Sequence, residues 1–402
     1  MVTTTKMARG TSRLIFDSVA GITSAVEGMH ETIARHPLPW SPQPERPTRA
    51  HGLIAATVYA TIRGVNGLLR EGIDLSMAWL PERTEEPQYS AASIKAIAAL
   101  NGVLGDHLEA TDNPLATPMR LLTPQHPLAL DQASLETAIG QASSHVVILV
   151  HGLSMSELCW NRNETPGIGQ RLQDALGVTP LYLRYNTGRH ISTNGQEFAT
   201  QLEQLCANWP VPVESLSLIG HSMGGLVIRS ACWYAQQSGS EWLSQLRRVV
   251  CLGTPHHGSP IARAGQSLNA AMQNIAYTQP LAFGRRRSAG IKDLRHGDLL
   301  DDDWRDHHPD ELRPDTRRPV PLLEGVEYYF AAATLGRHKK DPLGHLLGDL
   351  LVRMDSATGT HRENLRHLNI KAENCAVFHE KNHFDLLDDS KVQQQIVDWF
   401  SA

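Results

Sequence analysis

Ser217-Leu218-Ile219-Gly220-His221-Ser222-Met223-Gly224-Gly225-Leu226-Val227 reads as the end of an apolar strand, a G-x-S-x-G turn and the start of a helix. A nucleophile elbow requires this context. The turn is tight, and glycines at 220 and 224 leave room where a Cβ would strike the neighbouring strand or helix. Such a turn lifts Ser222 Oγ clear of the sheet. The first amides of the helix face the same space and favour developing negative charge. Ser222 is therefore the candidate nucleophile.

Outward from the elbow, short β-rich runs alternate with helical stretches from Ser144 onward, the pattern of a mainly parallel sheet covered by helices on both faces. Strands are predicted at 145–150, 180–185, 215–220, 247–252, 326–333 and 374–378, with helices near 167–175, 195–207, 224–237 and 391–400. Between Gly258 and about Leu323 no strand pattern appears, so residues about 258–323 read as an insertion. Its runs Arg285-Arg286-Arg287 and Asp301-Asp302-Asp303 read as solvated faces. The His307-His308 pair, close to Pro309 and Pro314, lacks metal-ligand spacing.

Residues 1–115 read as an N-terminal helical region, and 116–402 as the domain that carries the elbow. Apolar residues at Ile15, Val19, Ile22, Val26, Met29 and Ile33 keep one helix face apolar, until prolines between Pro37 and Pro47 end the helix. The pattern returns at Ile54, Val58, Ile62, Val65 and Leu69, and more weakly at Ile94, Ile97, Leu100, Leu104 and Leu108. Packing as ordinary core is the plain expectation for these stripes. A lid, or a patch at a lipid interface, is the functional alternative.

Of 402 residues, 41% are hydrophobic and 20% charged, so the chain can bury a sizeable core. A net charge of −5 offers no overall positive field for a phosphate backbone, which argues against nucleic acid as a partner. Cys159, Cys206, Cys232, Cys251 and Cys375 form no C-x-x-C pair and read as reduced, metal-free thiols. The Leu14-Ile15-Phe16 run is cut by Asp17 and Ser18 before a signal core could form, and no window reaches bilayer length. A cytoplasmic location is expected; peripheral contact with a lipid interface stays compatible with the sequence.

A hydroxyl at neutral pH is a poor nucleophile, so a base must take its proton and a third group must orient that base. His383, in Lys381-Asn382-His383-Phe384-Asp385 just past the last predicted strand, is the best placed of the 20 histidines. For the acid, Asp349 in Gly348-Asp349-Leu350-Leu351-Val352 satisfies the order Ser, Asp, His, and Asp341 and Asp355 compete with it. The oxyanion formed on attack needs fixed donors. The amide of Met223 is one candidate, and that of Leu153, in the turn after the first predicted strand, is the other.

HVVILVHGL, RYNTGRHIS, LIGHSMGG, VVCLGTPHHGSP, GDLLVRMDSA and KNHFDLL, spread in order over residues 145–390, resemble the α/β-hydrolase superfamily, specifically its lipase-like esterases and the inositol-deacylase-like group. The resemblance implies an α/β-hydrolase fold, selects Asp349 as triad acid and His383 as base, and makes the 258–323 insertion a cap or lid. In some bacterial lipases the position of Asp385 is a calcium ligand, but no second carboxylate ligand stands out here. The reading is a serine carboxylic ester hydrolase that needs no cofactor or metal and acts on a small-molecule or lipid ester. An acyltransferase, thioesterase or amidase would use the same triad, and a non-catalytic scaffold would use the N-terminal helices. The Asn186-Thr187-Gly188-Arg189-His190 loop is expected to open near the site.

Overall fold

The structure, a computed structural model, describes residues 9–17, 20, 60, 63–64, 66–71, 89–124, 126–161, 166–259, 288–307, 315–337, 349 and 351–401. The chain divides into two compact units: Met1–Ser93 with His107–Ala116 and Gly265–Arg287, and Ile94–Asp106 with Thr117–Ala264 and Ser288–Ala402. In the first unit, Asp17 accepts from Arg70 at 2.6 Å and meets His107 Nε2 at 3.0 Å. Asn113 Nδ2 donates to the Gly10 carbonyl at 3.2 Å. Of the two N-terminal stripes, Ile15 and Leu69 are exposed, while Val19, Ile22, Val26, Met29, Ile33, Ile54, Val58, Ile62, Val65 and the proline-rich linker lie outside the described residues.

The second unit is built on strands β1 (Arg120–Leu122), β2 (His145–Val150), β3 (Thr179–Arg184), β4 (Ser215–His221), β5 (Leu246–Leu252), β6 (Glu327–Thr334) and β7 (Cys375–His379). They form one sheet in the order β1-β3-β2-β4-β5-β6-β7, parallel except for the β1–β3 pair. The α-helices are α1 (Ala91–Ala110), α2 (Gln132–Ile139), α3 (Ile168–Leu176), α4 (Ile191–Asn208), α5 (Met223–Ser238), α6 (Ala289–His296), α7 (Asp301–Trp304), α8 (Met354–Ala357) and α9 (Ser390–Ser401), with short 3-10 turns between some elements.

A parallel sheet covered on both faces reads as continuous apolar runs, because every side chain along a strand is buried whichever way it points. Alternate residues of β2 show this. Val146, Ile148 and Val150 join Phe198 and Leu202 of α4 and Leu226 of α5 in one core, while Val147 and Leu149 join Leu172 of α3 and Ile396 of α9 in the other. The sheet and its flanking helices are an α/β-hydrolase fold. The strand ends of β2, β4 and β5 lie in register, Val150 opposite Gly220 and His221 opposite Leu252. Everything that leaves those ends therefore emerges side by side.

The six predicted strands form within a residue of their expected bounds, and β1 is added to them. α1 differs from its reading. Of its stripe, Ile94, Ile97, Leu100 and Leu104 are only half-buried while Leu108 is fully buried, and Ala98, Asn101, Gly102 and Gly105 also turn inward. A Cβ on Gly102 would lie 1.9 Å from Ser154 Oγ, and one on Gly105 1.9 Å from Asn186 Oδ1. Between Ala98 and Gly105, close contact that only glycine permits takes the place of the expected greasy contact.

Among the described residues of the 258–323 insertion there is no strand, and α6 and α7 lie within it. Its acidic run is only partly solvated. Asp302 is exposed, whereas Asp303 is buried and accepts from the amides of Leu299, Leu300 and Arg318 at 2.9–3.0 Å. A carboxylate taken out of water is tolerated when amides replace its hydration. Arg285-Arg286-Arg287 and His308 lie outside the described residues.

Candidate active site

Ser222 links β4 to α5 with φ 54° and ψ −122°, a left-handed conformation that costs a non-glycine residue on the order of 1–3 kcal/mol. The surroundings hold it there. Its N–H donates to the Leu252 carbonyl of β5 at 2.8 Å, and its carbonyl accepts from the Gly225 amide at 3.1 Å. A Cβ on Gly224 would sit 2.2 Å from the Val150 carbonyl oxygen, and one on Gly220 would sit 2.5 Å from the Gly225 amide. The close approach of α5 to β4 thus depends on Gly220, and its approach to β2 on Gly224. Met223 opens α5, so its amide has no acceptor one turn earlier in the helix.

The turn after β2 passes beside the elbow, and a Cβ on Gly152 would lie 3.0 Å from Ser222 Cβ. Several bonds fix it. His151 Nδ1 donates to the Gly152 carbonyl at 3.0 Å, and Tyr185 hydroxyl donates to the His151 carbonyl at 2.8 Å. Complete burial pushes the His151 imidazole down to about 4, so it stays neutral at pH 7. Leu153, half-buried, follows, and Ser154 takes φ 59° while its amide donates to Thr187 Oγ1 at 3.1 Å. The Asn186–His190 loop is thus held rather than open. Asn186 and Thr187 are buried, and His190 Nδ1 meets the buried Asp293 carboxylate at 3.0 Å.

His383 Nδ1 lies 2.6 Å from Asp349 Oδ2, and both side chains are at least 98% buried. Nδ1 must carry the proton, because a carboxylate only accepts. The other Asp349 oxygen accepts from the amides of Leu351 at 3.0 Å and Val352 at 2.7 Å, so the carboxylate cannot swing away. His383 Nε2 is buried and has no hydrogen-bond partner among the described residues. A Cβ on Gly253 would lie 3.0 Å from His383 Cε1. Ser222, bonded to Leu252, and His383, against Gly253, therefore converge on the end of β5.

Ser222, Met223, Leu153, Asp349 and His383 all belong to segments gathered at this edge of the sheet. Asp355 is exposed on α8, away from the His383 pairing, and Asp341 lies outside the described residues. Asp385 Oδ2 accepts from the Asn382 amide at 2.8 Å, and Asn382 Oδ1 accepts from the Phe384 amide at 2.8 Å. That acid therefore closes the loop carrying His383. Among the described residues no group of three or more His, Cys, Asp or Glu is arranged to hold a metal ion. Sequence reasoning missed His221, whose Nε2 donates to the His383 carbonyl at 3.1 Å. It also missed Gly253, at φ 58°, which leaves the imidazole its space. The GHS tripeptide was the available signal for the first, and the β5-end Gly253-Thr254 for the second.

A family model described as a PGAP1-like alpha/beta domain matches residues 141–306. Solved structures similar to this chain include the Bacillus licheniformis lipase BlEst2 in mature form, at 19% identity over 64% of this chain and 91% of that one, with a TM-score of 0.41. Others are the Pyrococcus furiosus esterase Pf2001 (12% identity, 64% and 81% covered, TM-score 0.36) and a thermophilic esterase from Thermogutta terrifontis (14%, 65% and 91%, 0.35). No curated protein matches the chain by sequence. Among its described residues no helix is long and apolar enough to cross a membrane.

Proposed function

We propose that the chain is a serine carboxylic ester hydrolase working through an acyl-enzyme. The observation that carries the reading is the buried 2.6 Å pair of His383 Nδ1 and Asp349, which leaves His383 Nε2 unpartnered near the strained Ser222 elbow. A buried nitrogen without a partner costs on the order of 1–3 kcal/mol, and a group that meets it only during reaction gives that cost a purpose.

In the proposed cycle Nε2 accepts the Ser222 proton as Oγ attacks the ester carbonyl. The imidazolium so formed is stabilised by Asp349, and the oxyanion is met by the amides of Met223 and Leu153. His383 then protonates the leaving alcohol. Water, deprotonated by the same nitrogen, releases the acid and frees Ser222.

Product analysis of a p-nitrophenyl ester in the presence of added alcohol and amine tests the reaction type. Free acid as the dominant product supports the hydrolase. Predominant transfer to alcohol would replace it with an acyltransferase, and no acyl release at all would remove the enzyme reading.

A further inference from the structure

A pocket of about 510 Å³ opens beside the candidate site. Met155, Leu158, Cys159 and Phe384 form its apolar wall, Ser154 and Ser156 add hydroxyls, and Lys95 of α1 is the one charged residue among those that line it. Two of its walls are direct continuations of the catalytic segments. Ser154 and Met155 follow Leu153 in the turn after β2, and Phe384 follows His383, its ring edge-on to the imidazole with centroids 5.7 Å apart. Phe384 is 42% exposed, an apolar ring left facing this space.

The pocket is built rather than incidental. Leu158 and Cys159 belong to a 3-10 turn, Glu157–Asn161, whose buried Glu157 is clasped by Arg184 at the end of β3, with Nε to Oε2 at 2.8 Å. Opposite, α1 is pressed onto the turn by Gly102 against Ser154. It is pinned by its Gly102 carbonyl, which accepts from Ser288 Oγ at 2.6 Å, and by Asp106, which accepts from the Ala289 amide at 3.1 Å. That register sets Lys95, two turns before Gly102, at the pocket. Its ammonium makes no ion pair among the described residues.

A largely apolar slot beside the candidate site, with one cation unpaired among the described residues, selects a ligand of matching pattern. Resting on the hydrolase reading above, we infer that the substrate is an ester bearing an anionic group a few carbons from the reacting carbonyl, with Lys95 as the specificity-determining residue. The apolar wall takes the intervening carbons, and the ammonium takes the charge. Lys95 touches neither Ser222 nor His383, so it alters which ester reacts and not how.

The test compares p-nitrophenyl valerate with mono-p-nitrophenyl glutarate, of equal acyl length but ending in a carboxylate, and with 4-valeryloxy-3-nitrobenzenesulfonate, which carries its charge on the leaving group. In the wild type one anionic ester is expected to be preferred, and the arm that responds tells which side of the ester bears the charge. Lys95→Gln should lower its kcat/KM about fivefold relative to valerate and Lys95→Glu further, with valerate itself unchanged. The preference should shrink as salt rises from 0.01 to 1 M.

Binding of the same esters to Ser222→Ala by calorimetry gives the same comparison without turnover. An enzyme that hydrolyses nothing yet binds the anionic ester through Lys95 would retire the hydrolase reading alone. Neutral and anionic esters responding alike to Lys95→Glu, in both rate and binding, overturns the inference.

Discussion

Ser222→Ala lowers kcat for p-nitrophenyl valerate about a million-fold, the scale lost when a nucleophile is removed from a triad that acts as a unit. The fold should not follow it down. Both hydrogen bonds that hold the elbow, from the residue 222 amide to Leu252 and from Gly225 to its carbonyl, use backbone atoms that alanine keeps. Alanine at φ 54° bears the same steric cost as serine. Thermal unfolding of the variant should therefore match the wild type while turnover falls to what binding and the oxyanion donors alone supply. A variant that still turns over at the wild-type rate assigns the attack elsewhere.

Asp349→Asn is expected to cost about 10⁴-fold in kcat, from a change of one atom. The asparagine oxygen can still accept from the Leu351 and Val352 amides, so the side chain stays where Asp349 is held. Its NH₂ then faces His383 Nδ1 and forces that nitrogen to accept. The proton moves to Nε2, where a base must have a lone pair. The imidazolium also loses its counter-charge. Asp355→Asn, altering an exposed carboxylate on α8, should leave kcat unchanged, and the contrast between the two variants separates the competing acids that sequence order alone leaves open. Equal loss in both, or in neither, contradicts the role given to Asp349.

How much of this was legible follows from which physics writes itself locally. Strands β2 to β6 announce themselves because a sheet buried on both faces demands unbroken apolar runs. β1 does not. It is a three-residue edge strand, Arg120–Leu122, paired only with β3, and so short a piece carries no periodicity. The elbow is legible because its glycines are compelled by backbone contacts within a few residues of the motif and by the adjacent strand.

The His383–Asp349 pair is a contact across 34 positions, so chain order and resemblance had to supply what spacing cannot. The aliphatic stripe of α1 is buried only at Leu108, and the rest of its inward face is small: Ala98, Asn101, Gly102 and Gly105. Gly102 and Gly105 gain their meaning only from Ser154 and Asn186, which no helical periodicity reveals. Asp303 is similar. As part of an acidic run it reads as solvent-facing, but the amides of Leu299 and Leu300 and of the returning chain at Arg318 make it a buried acceptor.

The central claim is that Ser222 Oγ is the attacking atom, and covalent capture tests it most directly. A fluorophosphonate reacted with the native protein, followed by proteolysis and mass spectrometry, should place a single adduct on the peptide containing Gly220-His221-Ser222-Met223-Gly224. Ser222→Ala should take up none. An adduct on any other residue, or no adduct in a protein that still hydrolyses esters, would contradict the account.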